Sequence, residues 1–189
     1  MKRLFIILFA GLVLAGCATS GQDPLAPKTA NNVNLKRYQG TWYELARLPM
    51  YFQRDCAQSE AHYTLKPDGT VAVLNRCLTA QWQWEEVKGT AYPEVPGKND
   101  KLRVEFDTWF SRLIPGVAKG DYWVLYVSDD YKTAIVGDPS RKYLWLLSRT
   151  PTVNGVVREE LLSRARQQGY DTTRLIWRAS EQQMAKTSN

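Results

Sequence analysis

His62 is the only histidine of this 189-residue chain, and Cys17, Cys56 and Cys77 are its only cysteines. These are the side chains best suited to act as base, nucleophile or metal ligand, but their spacing does not support such work. His62 has no companion at metal-ligand spacing. No Ser/His/Asp arrangement and no Gly-x-Ser-x-Gly elbow is present. His62 also alternates with Tyr63 in a stretch of period two, so it should point outward when Tyr63 points inward. The chain therefore reads as a non-enzyme with no metal and no cofactor. Cys56 and Cys77 flank Lys66-Pro67-Asp68-Gly69 at nearly symmetric distances. If that turn closes a hairpin, a small register shift brings the two thiols within reach of a disulfide. Two buried free thiols are the alternative.

Cys17 ends a different pattern. Lys2 and Arg3 precede an unbroken apolar run from Leu4 to Gly16, 13 residues long. A membrane-spanning helix needs about 20. A basic start, a short apolar stretch and small residues before a break describe a secretory signal. Leu14-Ala15-Gly16-Cys17 resembles the bacterial lipobox. That resemblance implies cleavage before Cys17 and a diacylglycerol on its thiol; an ordinary signal peptide is the alternative. Ala18 rather than aspartate after the cysteine then points, by the sorting rule of enteric bacteria, to the outer membrane. The partner implied is outer-membrane lipid, held through the Cys17 anchor. Residues 18–32 are polar with two prolines and read as a flexible tether. The expected organisation is a signal peptide over 1–16, a lipidated N-terminus and tether over 17–32, a folded domain over 33–178 and a polar tail over 179–189. An exported chain lives in an oxidising compartment, which favours the Cys56–Cys77 bridge.

The mature chain of about 170 residues fits one domain with a real core. The formal charge of +6 includes Lys2 and Arg3, and no run of five or six basic residues occurs. No nucleic-acid partner is read from this pattern. An anionic bilayer surface is the better basic-surface partner, with scattered solvated charge as the plainer explanation.

The hydrophobic pattern is mostly of period two. Ala61, Tyr63 and Leu65 alternate with polar neighbours, and so do Leu102, Val104 and Phe106. Strands are expected at about 40–48, 58–66, 70–78, 83–92, 101–107, 121–128, 132–137 and 143–149. Residues 122–127 and 143–147 are apolar on both faces and must be covered on both. One helix can supply the cover. Asn154 caps it, Gly155 to Gln168 form it, Val157, Leu161, Leu162 and Ala165 share a stripe, and Gly169 ends it. A last strand at Leu175-Ile176-Trp177 follows, and the tail from Ser180 reads as loose. Many short strands and one late helix indicate an all-β barrel or sandwich.

Gly40-Thr41-Trp42, Asp129-Asp130-Tyr131 and Arg149 occur in this frame. With the stretches 37–47, Phe52-Gln53-Arg54 and 143–151, they make the chain resemble the lipocalin family. More narrowly, it is similar to the bacterial outer-membrane lipoprotein lipocalins of the Blc type, relatives of apolipoprotein D. The similarity spans about residues 33–178. It implies an all-β fold: an eight-stranded antiparallel up-and-down barrel with one C-terminal helix outside and a short final strand. Residues 108–120 look longer than the family connection, and the Cys56/Cys77 pair is not in every member.

The resemblance places Trp42 and Arg149 at the closed end as structural residues, the arginine plane stacked on the indole. With apolar residues facing inward, the cavity would be lined by Ala61, Tyr63, Leu65, Val71, Val73, Val87, Leu102, Val104, Phe106, Tyr122, Val124, Tyr126, Ile135, Tyr143 and Trp145. The alternative is an interior filled by its own side chains. Glu44 shares Trp42's inward parity, as an orienting group for a ligand or as a structural carboxylate. The opposite end would be rimmed by Met50, Tyr51, Phe52, Trp109, Phe110, Arg112, Ile114, Arg141 and Lys142, with Arg47, Arg54, Leu113 and Lys119 at its margin. Apolar groups ringed by cations suit a phospholipid, and equally a homodimer contact or a membrane-docking patch. The implied function is an anchored carrier of fatty acids or lysophospholipids serving envelope maintenance. A structural, partner-binding envelope lipoprotein and a lipocalin-type enzyme acting on a hydrophobic ligand are the alternatives.

Overall fold

A computed structural model describes residues 26–107 and 119–187. Leu35–Tyr38 forms a single helical turn (α1). Eight strands follow: β1 (Gly40–Arg47), β2 (Cys56–Leu65), β3 (Val71–Thr79), β4 (Trp84–Val95), β5 (Lys98–Phe106), β6 (Lys119–Val127), β7 (Thr133–Gly137) and β8 (Leu144–Ser148). Each pairs antiparallel with the next, and β1 pairs with both β2 and β8, so the sheet closes on itself. Closure pairs each of the eight strands on both sides, removing the long free edges of an open sheet. The antiparallel order puts the β1–β2, β3–β4, β5–β6 and β7–β8 connections at one end, the mouth. The helical turn α1 lies at the other end.

Two apolar layers result, because several strands bury both faces. The inner layer holds Trp42, Tyr38, Val71, Val73, Leu102, Val104, Val124 and Val136. The outer layer packs Leu45, Ala46, Leu125, Ile135, Leu144 and Leu146 against Leu161 and Ala165 of the helix α2 (Gly155–Gln167). Asn154 caps α2, its side-chain oxygen accepting from the Val157 amide at 3.0 Å. This satisfies one of the four amides that a helix start leaves unpaired. Burying a leucine such as Leu161 stabilises by about 1.5–3 kcal/mol. Tyr170, just past α2, donates to the Asp138 carbonyl. A Cβ at Gly137 would lie 2.2 Å from that phenol oxygen, so only glycine leaves room there.

The chain departs from the sequence expectation in three places. First, β4 and β5 run three residues further toward the closed end, through Pro93 and across the Gly97 turn. Asn99 and Asp100 fall between the expected strands 83–92 and 101–107. In the fold they serve the N-terminal segment: Asn99 Nδ2 donates to the Val33 carbonyl, and buried Asp100 accepts from the Thr29 hydroxyl. Second, the segment from Ser180 is not a loose tail. A strand β9 (Ile176–Trp177) pairs with Ala46 and Arg47, where β2 has parted from β1. A helix α3 (Glu181–Thr187) follows, capped by reciprocal bonds between Ser180 and Gln183, with Met184 buried. Third, register shifts between Glu44 and Ala46 and between Val124 and Tyr126 interrupt β1 and β6. One extra residue at a bulge turns every later side chain to the other face. Tyr126, expected in the cavity, therefore lies outside against α2; Ile135, also expected there, lies outside on the regular strand β7, where Ala134 and Val136 take the inner face. Tyr126 donates to Glu160, while Val127 packs inside.

Candidate functional site

The barrel encloses a cavity of about 850 Å³, within the roughly 300–1,000 Å³ of small-molecule sites. Its wall is built by residues of the inward parity: Ala61, Tyr63, Val71, Val73, Val87, Leu102, Val104, Phe106, Tyr122, Tyr143 and Trp145 all reach its surface. Leu65 and Val124 belong to the same inner layer but do not border the void. The small side chains Ala61, Val71, Val73 and Val87 leave that space unfilled.

The closed end is held by Arg149. Its guanidinium carbon sits 3.8 Å from the centre of the Trp42 ring, which is fully buried. Its nitrogens donate to the carbonyls of Thr41 (2.8 Å), Arg37 (2.9 Å), Tyr38 (3.2 Å) and Tyr131 (3.2 Å). Trp42 Nε1 donates to the Tyr38 carbonyl at 2.7 Å. One planar cation thus ties α1, the start of β1 and the β6–β7 turn together. Desolvation pulls the Arg149 guanidinium down from its ordinary value. Gly40 enters β1 at φ +93°, and a side chain there would approach the Arg149 guanidinium.

Above this floor stand three phenols. Tyr38 and Tyr122 share a hydrogen bond of 2.9 Å, and Tyr63 stacks on Tyr38 and meets Tyr122 edge-on. Burial pushes all three up, Tyr63 to about 12, because a phenolate has no solvent there.

Toward the mouth, one wall is polar. Arg47 is 2 % exposed and pairs with Glu44 at 2.8 Å. It also donates to the carbonyls of Gln53 (2.6 Å) and Cys56 (2.9 Å). The Gln53 amide donates to Glu44 (2.8 Å) and Ser59 (3.1 Å), and accepts from Trp145 Nε1 (3.0 Å). Glu44, Gln53, Ser59 and Asn75 border the void, and the Asn75 carbonyl oxygen is buried without a protein partner. Period two could have supplied Ser59 and Asn75, which share parity with Ala61 and Val73. Arg47 was out of reach: the β1 bulge carries it from the expected margin into the interior. The Cys56–Cys77 disulfide joins β2 and β3 beside this wall.

Of the expected rim, Phe52 and Lys142 border the opening and Tyr51 is exposed; Tyr143, expected in the cavity, also stands at the mouth. Met50 instead is buried. Arg141 turns its guanidinium outward, donating to the Gln168 carbonyl at 2.6 Å. Trp109, Phe110, Arg112, Leu113 and Ile114 lie outside the described residues, as does Cys17. Outward-facing His62 sits 3.0 Å from the Thr41 hydroxyl. Among the described residues no cluster of His, Cys, Asp and Glu could hold a metal, and no helix is long and apolar enough to cross a membrane.

A family model described as a lipocalin-like domain matches residues 33–180. Temperature-induced lipocalin-1 of Arabidopsis thaliana is 40% identical over 151 residues, covering 78% of this chain and 80% of that protein. The outer membrane lipoprotein Blc of Vibrio cholerae is 35% identical over 179 residues, covering 94% of this chain and 98% of that protein. Among solved structures, insecticyanin from the tobacco hornworm Manduca sexta superposes with a TM-score of 0.65 at 21% identity. That superposition covers 84% of this chain and 87% of insecticyanin.

Proposed function

The chain belongs to the lipocalin family, and from that premise we propose that it is a membrane-anchored carrier of fatty acids or lysophospholipids. Its family membership supports a carrier of hydrophobic ligands. The finer assignment rests above all on one observation: an 850 Å³ void, apolar and floored at one end, polar and open at the other. An alkyl chain entering the deep part gains about 0.8 kcal/mol per buried methylene. Immobilising the ligand offsets part of that gain. Its polar head would meet the wall of Glu44, Gln53, Ser59 and Asn75, or the water at the rim. The lipobox resemblance at Cys17, together with the outer-membrane lipoproteins among the relatives, supports an acyl anchor in the outer membrane of a Gram-negative envelope. There the carrier would store or shuttle acyl lipids during envelope maintenance.

The test is direct. A fluorescent acyl-chain probe is titrated into the wild-type protein and into Val73→Trp, which fills the void from β3. The wild type should bind and release the probe on adding lysophospholipid, and the variant should lose affinity at least tenfold, about 1.4 kcal/mol. Native mass spectrometry should detect an acyl adduct only on the wild type. Equal probe binding by both proteins would overturn the cavity assignment.

A further inference from the structure

The exposed aromatic side chains of the described residues are not scattered. Tyr51, Trp82, Trp84 and Tyr143 are 71%, 46%, 44% and 36% exposed, and all four sit at the mouth. Val95 and Val156, exposed near the closed end, are aliphatic. Indole and phenol rings carry an apolar body and a polar atom, the chemistry that settles at the headgroup level of a bilayer. Two of the rings are backed by cations: Arg54 lies 4.7 Å from the Tyr51 ring centre and Arg76 lies 4.3 Å from that of Trp84. Those cations are already paired, Arg54 with Asp55 and Arg76 with Glu60 and Glu86.

The course of the N-terminal segment supplies an independent observation. From Val33 near the closed end it climbs the outside of the barrel, Ala30 bonding the Val124 carbonyl. Lys28 then exchanges two hydrogen bonds with Gln168, whose carbonyl holds Arg141 of the mouth loop. Thr29 still meets Asp100 on β5, and the segment leaves the barrel wall at Lys28, beside the C-terminal end of α2. Cys17 lies nine positions before Ala26, a span of at most about 30 Å. An anchor at Cys17 therefore keeps the barrel within about 30 Å of the bilayer, a reach that includes the mouth.

We infer that this protein docks mouth-down on a phospholipid bilayer, with Tyr51, Trp82, Trp84 and Tyr143 seated among the headgroups. The inference rests on the proposed acyl-lipid function, and it adds where loading happens: a chain slides from the leaflet into the void without crossing water. The cations behind Tyr51 and Trp84 are paired, so on a neutral phosphatidylcholine surface docking depends on the aromatic rings.

The experiment places a nitroxide at Gln81→Cys, between the rim aromatics, and at Val95→Cys, at the opposite end. Both full-length proteins are reconstituted in phosphatidylcholine vesicles, and collisions with oxygen and with a water-soluble nickel chelate are measured. The label at 81 should favour oxygen and be shielded severalfold from nickel relative to the label at 95, unchanged in 1 M salt. Equal nickel access at both positions, or shielding at 95, would overturn the inference. So would spin–spin broadening at 81 without vesicles, which makes the rim a contact between two copies. Should a labelled variant fail to fold, wild-type quenching by lipids brominated near the headgroup replaces it. Trp82→Phe/Trp84→Phe must then lose most of that quenching, and retention overturns the inference. An acyl-chain probe in the same vesicles separates the two ideas: probe binding with 81 in water removes docking alone, and a docked rim without probe binding removes the carrier reading alone.

Discussion

Replacing Arg47 by methionine removes the cation around which the polar wall is organised. Three acceptors lose their donor at once: Glu44 Oε1 and the carbonyls of Gln53 and Cys56. Glu44 is left buried, with only the Gln53 amide on its other oxygen. Removing one partner of a buried ion pair costs about 3–5 kcal/mol. Methionine keeps most of the apolar volume, and the two carbonyls lie close enough to the mouth to regain water. The lower end, about 3 kcal/mol, is therefore expected, against a total of roughly 5–15 kcal/mol for a domain. In a domain of this size that lowers the melting temperature by about 6–12 °C. Urea unfolding followed by circular dichroism, with the disulfide oxidised, measures it. A second readout is local: residues 50–56 lose their tie to the barrel, so trypsin should cut after Arg54 faster than in the wild type. Adding Glu44→Gln removes the stranded charge and should recover about 1–3 kcal/mol. A single variant within about 1 kcal/mol of the wild type, the value of an exposed pair, would refute the view that this wall is a buried, stabilising network.

Arg149→Ala strips the stacking on Trp42 and four carbonyl contacts and should cost about 2–4 kcal/mol in the same denaturation assay, with the melting transition still cooperative. Reducing Cys56–Cys77, 21 positions apart, frees the unfolded chain and should cost about 3 kcal/mol, seen as a lower urea midpoint at unchanged slope. Raised phenols contribute stability that is complete below their unfolded value near 10 and is lost as pH rises through the folded value, about 12 for Tyr63. Ultraviolet titration should then show Tyr63 ionising only above pH 11, together with unfolding. Asp68, Asp130 and Asp171 are held below the usual carboxylate range by hydroxyl and amide donors of their own turns. Their contribution is present above about pH 4 and is lost as pH falls through their folded values, so urea midpoints should be level from pH 5 to 8 and fall by pH 3.

Much of the barrel was legible because its signals are local. Alternation in Leu102, Val104 and Phe106 names an inner face without any partner strand, since successive side chains of a strand point opposite ways. The Lys66-Pro67-Asp68-Gly69 turn set the β2–β3 hairpin and, through it, the Cys56–Cys77 bridge. Asn154 and Gly169 bounded α2. Strands apolar on both faces, such as 144–147, announced that something must cover them.

What the amino-acid order determined by its pattern was therefore an all-β barrel or sandwich with an outer helix and most of its inward-facing residues, and the lipocalin resemblance chose the closed barrel. Only the tertiary structure decided which side chains the bulges in β1 and β6 would exchange. It drew Arg47 in to meet Glu44 and Gln53, and it turned Tyr126 out to Glu160. It also made the run through Asn99 and Asp100 into strand and the final residues into a helix. The physical reason is that period two is a property of one strand, whereas a bulge is fixed by two residues facing one on a neighbour. Asn99 and Asp100 likewise find their partners, Val33 and Thr29, only when segments far apart in sequence meet.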